Sequence, residues 1–514
     1  MVTEKRVQCL FLCLLVLAVN FVTMPRDSYT GDPAAMQMGT QSLLRGGLFE
    51  VTPALATTSI RGKFFVQNSR NGKYYSKYGV FNSLMFVPPF WAEKALSKIP
   101  VPGPGATGRK SDRTTFYLNL YNIFLVLIAT AYLFSIAALY SNRGWVRLTY
   151  VLTALYSTYL WNFMRAQSAD LFQVVFFAGL FYHLMAYRRA LIPVGKNSKF
   201  PRTQLIAAIF YLSCLCFCKL SHVLLIPPTL IWFLAANYVP PKNKNRLMVA
   251  HMIGQLKLHL RDFTFFAFLP IIGIGLSLLF LNYYQFGSPL DAGYTQWVQY
   301  TDSFAGDIFE GLYGFFFLAN RSIFVHFPIL FFALFGIRQF YKKYSLEALW
   351  IGAVFMIFLL TISKLPFWAG EACYGPRLLL FMLPVASLPF IETLHGLQDH
   401  WKKTSSKVAG AFIGLLLLAS FQLQMNINAL PFFVYYSMES AVTGAADPVN
   451  QNILDQRFFK GRNYGVLNAE FLSYKKSGVY PPFDYAKTLL QPSRFTEMKN
   501  HVDSMLTSNY YWFN

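Results

Sequence analysis

A chain of 514 residues that is 55% hydrophobic and only 13% charged is too apolar for an ordinary soluble domain, and its apolar runs recur too often for a single anchor. The formal charge of +22 invites a nucleic-acid reading, but Lys and Arg cluster in short loops between apolar runs, as selection for membrane orientation produces, so no nucleic-acid partner is expected. The six cysteines exclude a disulfide framework and a zinc site, because Cys9, Cys13, Cys214, Cys216 and Cys218 fall inside apolar runs and only Cys373 in a loop.

The first apolar run, 9–24, follows Lys5-Arg6 and resembles a signal h-region, yet no small-x-small cleavage site follows it, so it reads as a retained first helix. Further spans are predicted near 116–141, 146–163, 169–187, 203–218, 220–238, 263–283, 322–337, 347–363, 375–394 and 408–426. The expectation is therefore an all-α polytopic membrane protein of about eleven transmembrane helices, with a membrane domain over 1–426 and an external C-terminal tail of unassigned fold over 427–514. With the N-terminus inside, the short inner loops hold Arg143 and Arg147, Arg188 to Arg202, Lys242 to Arg261, Arg338 to Lys343 and Lys402 to Lys407, as the positive-inside rule requires. Outside lie a long first loop (about 25–115), a second (about 284–321) and the tail. The pair 203–218 and 220–238 is split only by Lys219-Leu-Ser-His222; one long helix there would flip everything downstream, and the charge bias argues for two.

In the first external loop, Asp32 followed by Pro33 reads as a helix start and Gly46-Gly47 as its end. Further on, the apolar, aromatic stretch Lys77 to Trp91 is interrupted by Pro88-Pro89, which suits an interfacial helix on the outer leaflet better than a span. With sidedness fixed, Arg165, Lys219, Arg321, Lys364 and Arg377 all fall at external helix ends, together with the acids Asp27, Asp32, Asp170 and Glu371. Each cation alone reads as a snorkelling side chain, because burying a charge at bilayer depth is costly. Their gathering on one face suggests a polar chamber. No P-loop, GxGxxG, HExxH or internal repeat occurs.

The order of these features resembles the GT-C membrane glycosyltransferases, in the branch of the protein O-mannosyltransferases and the lipid A aminoarabinose transferase, over roughly residues 9–395. The likeness is carried by Gly31-Asp32-Pro33 with its short helix and Gly-rich end, by Arg165-Ala-Gln-Ser-Ala-Asp170, by Phe217-Cys-Lys219 with Pro227-Pro228, and by Phe286 to Tyr294, Gly311 to Ser322 and Trp368 to Arg377. Many relatives have paired acids after the first helix; here Asp27 lies five residues before Asp32, so either acid can be the base.

The resemblance implies a hexosyl- or pentosyltransferase that moves a sugar from a polyprenyl-monophosphate donor to a lipid, polysaccharide or protein acceptor. It further implies a multi-pass protein in contact with membrane lipids in a bacterial inner membrane, with the site facing the periplasm. On this reading Asp32 or Asp27 is the catalytic base. Arg377, Lys219 and Arg321 bind the donor phosphate, because guanidinium offers paired donors and ammonium a compact charge. Arg165, Asp170, Glu371 and Tyr374 support the site. Direct displacement would invert the anomeric carbon. No cofactor and no metal are expected, since cations can replace a metal at a monophosphate leaving group. A transporter or lipid flippase would also need intramembrane charges, but near mid-membrane and within repeated halves. A polysaccharide or oligosaccharide ligase would share the external cations and use a diphosphate-linked donor.

Overall fold

The computed structural model describes residues 2–25, 32–53, 64–98, 110–191, 201–236, 263–291, 293, 304–319, 321–366, 368–370, 374–429, 492–493, 496 and 499–500. Asp27, Glu371, Cys373 and nearly all of the C-terminal tail lie outside the described residues.

Six helical stretches are long and apolar enough to cross a bilayer: Glu4–Val22, Arg113–Tyr140, Ala169–Leu191, Thr264–Phe286, Ser345–Ser363 and Thr404–Ala429. The chain is a polytopic membrane protein whose described residues are predominantly helical. In order it comprises α1 (Val2–Val22), α2 (Asp32–Leu44), the antiparallel hairpin β1 (Phe65–Gln67) and β2 (Tyr74–Ser76), α3 (Val80–Met85), α4 (Val87–Ala95), α5 (Lys110–Tyr140) and α6 (Gly144–Tyr156). There follow α7 (Leu160–Arg165), α8 (Ala169–Leu191), α9 (Arg202–Cys218), α10 (Ile226–Ala236), α11 (Leu269–Phe286), α12 (Ile308–Phe317) and α13 (Ile323–His326). The last are α14 (Pro328–Lys343), α15 (Ser345–Ser363), α16 (Leu383–Ala386), α17 (Phe390–Asp399) and α18 (Thr404–Ala429).

The five other expected spans are helical but short or broken among the described residues, and in two of them the break has a local reason in proline. Phe327 precedes Pro328, which disfavours helical backbone at the residue before it, and at φ −136° Phe327 separates α13 from α14. The stretch expected over 375–394 opens as a 3₁₀ turn, Arg377–Met382, and the helix restarts around Pro384 and again after Pro389. The interfacial segment differs from expectation too. It is two helices that meet at Phe86, Pro88 and Pro89 lie in the first turn of the second, where their missing N–H groups cost nothing, and a hairpin that the sequence did not announce precedes them.

Helix α8 forms the centre: Leu171, Phe172, Leu180, Phe181 and Leu184 are wholly buried, against α5, α9 and the 3₁₀ turn at Arg377–Met382. At the periphery, α11 and α18 present rows of large apolar side chains, Leu269, Ile272, Leu276 and Phe280 on one and Val408, Phe412, Leu415 and Leu418 on the other. Such contiguous apolar faces are at rest only in hydrocarbon.

The chain reverses at Lys219. α9 stops there in extended backbone (φ −156°, ψ 125°), a 3₁₀ turn over Leu220–Leu225 follows, and α10 runs back. Phe233 near the end of α10 meets Tyr187, near the end of α8, edge-on with ring centroids 5.5 Å apart. Helix α9 runs antiparallel to α8, with Gln204 at its start 2.6 Å from His183 and Tyr211 further on against Gly179, so α9 begins at that same end and α9 and α10 are two antiparallel helices rather than one.

Basic side chains from the loops expected inside gather at one end of the bundle. There Arg147 donates to Gln8 (2.5 Å), Arg143 to Asp399 (2.7 Å), Arg188 to Glu347 (2.5 Å) and Lys343 to Glu392 (2.7 Å). The C-terminal end of α1, the N-terminal ends of α2 and α8, the C-terminal end of α9 and Arg377 meet at the other.

Candidate active site

The site is assembled when the layer that carries α2, β1, β2 and α3 folds over the C-terminal end of α9. Gly79 allows a close approach, since a Cβ there would lie 2.8 Å from the Phe217 carbonyl oxygen. Three residues on, Asn82 donates to the Cys218 carbonyl over 2.7 Å, capping one of the acceptors that α9 leaves open at its end. Helix α2 lies on α3 through Thr40, whose hydroxyl donates to the Ser83 carbonyl (2.6 Å). Edge-to-face contact of Phe86 with Phe172 (5.3 Å) seats this layer on α8. The start of α2, the end of β2, the first turn of α8 and Lys219 thereby reach one spot.

Asp32 is at its centre. It opens α2 with Pro33 behind it, as expected, and the helix closes at Leu44 before Gly46 at φ +86°. Its carboxylate turns toward the rest of the site: Oδ2 accepts from Arg377 Nη2 over 2.8 Å, and Oδ1 accepts from the Tyr78 hydroxyl. Arg377 Nε also lies 4.0 Å from Asp170 Oδ2, so one guanidinium bridges two acids. Asp170 sits in the first turn of α8, where the helix dipole favours negative charge. Lys219 attracts Asp170, and Lys77 attracts Asp32. Burial works against the charged form of Asp32, but Arg377, the Tyr78 hydroxyl and Lys77 more than offset it and hold its carboxyl below the ordinary aspartate value of 3.8.

Arg377 is presented by a pinned turn. Tyr374, only 1% exposed, packs edge-on against His326 at 4.6 Å and accepts from Gln424, while Tyr159 donates to the Pro376 carbonyl over 3.0 Å. Gly375 has φ +67°, and a Cβ there would strike the Tyr159 ring at 2.8 Å, so only glycine fits. Its carbonyl receives the Arg377 N–H (2.9 Å) and, at 3.4 Å, Arg321 Nη1, which brings Arg321 to the back of the same turn.

The structure therefore joins Asp32, Asp170, Arg377 and Lys219, sets Arg321 and Tyr374 behind them, and leaves Lys364 exposed at the end of α15. Arg165 has a different place. Buried to 3% exposure, it donates to the Thr23 carbonyl (2.6 Å) and the Asn428 carbonyl (2.7 Å), clamping the C-terminal ends of α1 and α18. Sequence reasoning missed Tyr78 and Lys77 as site residues. A signal was present, because Lys77 is the one charged residue between Tyr74 and Ala92. It is 4% exposed and lies 5.4 Å from the centroids of the Phe64 and Tyr78 rings. Among the described residues no group of three or more His, Cys, Asp and Glu side chains is placed to hold a metal ion.

Solved structures of two proteins are among those similar to this architecture. The archaeal oligosaccharyltransferase AglB from Archaeoglobus fulgidus, in complex with an inhibitory peptide and a dolichol-phosphate, is similar at a TM-score of 0.49 and 9% identity, over 89% of this chain and 60% of that one. ArnT from Cupriavidus metallidurans bound to undecaprenyl phosphate is similar at a TM-score of 0.45 and 11% identity, over 98% of this chain and 76% of that one. The chain thus spans about 60% of the length of the archaeal protein. At this level of similarity neither likeness carries an argument about the site. No family model matches the sequence, and no curated protein matches it.

Proposed function

We propose that the chain is an inverting glycosyltransferase that moves a hexose or pentose from a polyprenyl monophosphate to an acceptor hydroxyl at the external face of the membrane, in a bacterium the periplasmic face. The observation that carries this reading is the contact between Asp32 and Arg377 within a cluster of three cations (Arg377, Lys77, Lys219) and two acids (Asp32, Asp170). One positive charge is in surplus. A polyprenyl-phosphate sugar is a phosphodiester with one negative charge, and its leaving group is a monoester with two, so the cluster neutralises the donor and stabilises the charge that grows on it.

In the step itself the acceptor oxygen attacks the anomeric carbon, its proton passes to Asp32, and the bond from carbon to phosphate oxygen breaks with the electron pair leaving on the phosphate. Attack opposite the leaving group inverts the anomeric carbon. Asp32 in its resting pair is charged but weakly basic, because Arg377 stabilises the carboxylate. A phosphate that takes a share of the guanidinium returns basicity to Asp32 when a donor is present. Gross attraction between one such cation and a phosphate charge at about 4 Å is roughly 4 kcal/mol at an effective dielectric near 20, less desolvation.

Asp32→Asn tests the proposal. Binding of undecaprenyl phosphate should persist, since Arg377 stays and loses its competitor. Transfer from radiolabelled undecaprenyl-phosphate hexoses and pentoses should fall at least about 100-fold. Wild-type transfer by this variant would remove Asp32 from the base role and move attention to Asp27.

A further inference from the structure

We propose that Tyr78 is a positioning residue for Asp32: it holds the Oδ1 edge of the carboxylate so that the Oδ2 edge, shared with Arg377, is the one that receives the acceptor proton. This rests on the reading of Asp32 as the base.

A carboxylate on a single Cα–Cβ–Cγ stem rotates readily about its last torsion, and the two oxygens exchange places. In the resting site both are held, Oδ1 by Tyr78 and Oδ2 by Arg377. The donor phosphate competes for Arg377. Once it succeeds, Tyr78 is the hydrogen-bond donor that stays on the carboxylate among the described residues, and without it Asp32 can turn after the guanidinium.

The backbone around Tyr78 is built for such a task. Its N–H donates to the Ser76 hydroxyl (3.2 Å), the preceding Lys77 N–H donates to the Phe64 carbonyl (3.0 Å), and the following Gly79 rests on the Phe217 carbonyl. The hydroxyl is therefore delivered from a strand end and a helix end at once. The charged groups facing Asp32 are Arg377 from the 374–377 turn, Lys77 beside Tyr78 and Asp170 on α8, with Lys219 at the end of α9 acting on Asp170. Tyr78 is the neutral donor among them. It can orient the carboxylate without competing for the phosphate.

The rival account is that Asp32 merely satisfies a half-buried phenol. Tyr78→Phe keeps the ring and removes the hydroxyl, so the two accounts separate. Expected are a melting temperature in detergent close to wild type, undecaprenyl phosphate affinity within about twofold, and kcat for transfer lowered by about 10-fold or more. The acid limb of the kcat/KM profile should move to higher pH, because a hydrogen bond to the charged form has been lost. If the Phe variant does not fold, 3-fluorotyrosine at position 78 serves instead: its more acidic hydroxyl donates more strongly and should move the limb to lower pH. A limb that stays in place in either protein overturns the proposal, as does a kcat loss that only follows a loss of melting temperature. Asp32→Asn run in parallel separates the two levels. If it abolishes transfer while Tyr78→Phe is normal, only the role of Tyr78 fails; if it transfers normally, the reading of the base fails first.

Discussion

Asp32 and Arg377 stand 345 positions apart in the chain and 2.8 Å apart in space. The pair joins α2 to the last third of the described bundle, and the base and the phosphate-binding cation assigned by sequence to separate tasks touch each other before any substrate arrives.

Arg377→Lys should keep the charge and lose the fork that reaches Asp32 with one nitrogen and Asp170 with another. Transfer should fall clearly in the Lys variant and further in Arg377→Ala, in kcat as well as in donor affinity. The partners are 26% and 21% exposed, so Arg377→Ala should cost about 1–3 kcal/mol of stability, less than breaking a fully buried pair. Equal turnover of the Arg and Lys enzymes would return Arg377 to the role of an interfacial anchor.

The depressed pKa of Asp32 fixes a pH window. A carboxyl whose folded pKa lies below its unfolded value contributes stability that is complete above the unfolded value and is lost as pH falls through the folded one. The acid limb of kcat/KM should therefore lie below about pH 4 in the free enzyme. Arg377→Gln should raise it by removing the strongest attraction on the carboxylate. A wild-type limb between about pH 5 and 7 would assign the titration to another group.

Gly79→Ala forces a methyl group against the Phe217 carbonyl at 2.8 Å and should lift the segment carrying Lys77 and Tyr78 off the end of α9. A loss of about 1–3 kcal/mol is expected, with transfer falling alongside it. Gly396→Ala is the control: it lies within α17 with nothing inside 4 Å of its added methyl group, and should be neutral or stabilising by up to about 1 kcal/mol.

Arg165→Ala leaves the Thr23 and Asn428 carbonyls without their charged donor and should destabilise the fold by about 2–4 kcal/mol. Donor affinity per folded molecule should stay unchanged. A selective loss of donor binding at wild-type melting temperature would bring Arg165 back to the site.

For sidedness, a single cysteine at Ser288 in a background without the native cysteines should react with an impermeant thiol reagent added from outside, while one at Ser405 should not. The reverse pattern would invert the bundle and place Asp32 inside.

The long apolar runs were legible because hydropathy and loop charge act over twenty residues at a time, and the reversal at Lys219 followed from charge bias alone. Local breaks were less so: Phe327 before Pro328 is a visible signal, but the hairpin at Phe65–Gln67 and Tyr74–Ser76 has too few residues to show a period. Of the residues expected at the site, Asp32, Asp170, Lys219 and Arg377 are brought together, and they stood out in the sequence because charge at a helix end demands a reason. Tyr78 carries no charge, and its value depends on the end of α9, more than a hundred residues away. Arg165 was read as a site residue for the same reason the others were, and it also grips the backbone carbonyls of Thr23 and Asn428, which carry no sequence signature.

The Asn82 to Cys218 contact spans 136 residues and the Asp32 to Arg377 contact 345, so the layer that carries Asp32 and Asn82 is not complete until much of the bundle has been synthesised and inserted. A nascent chain arrested before residue 377 holds Asp32 without the Arg377 guanidinium. Completion of the Asp32 cluster is thus a late event in biogenesis, and the proposed transfer waits until the helices are in place.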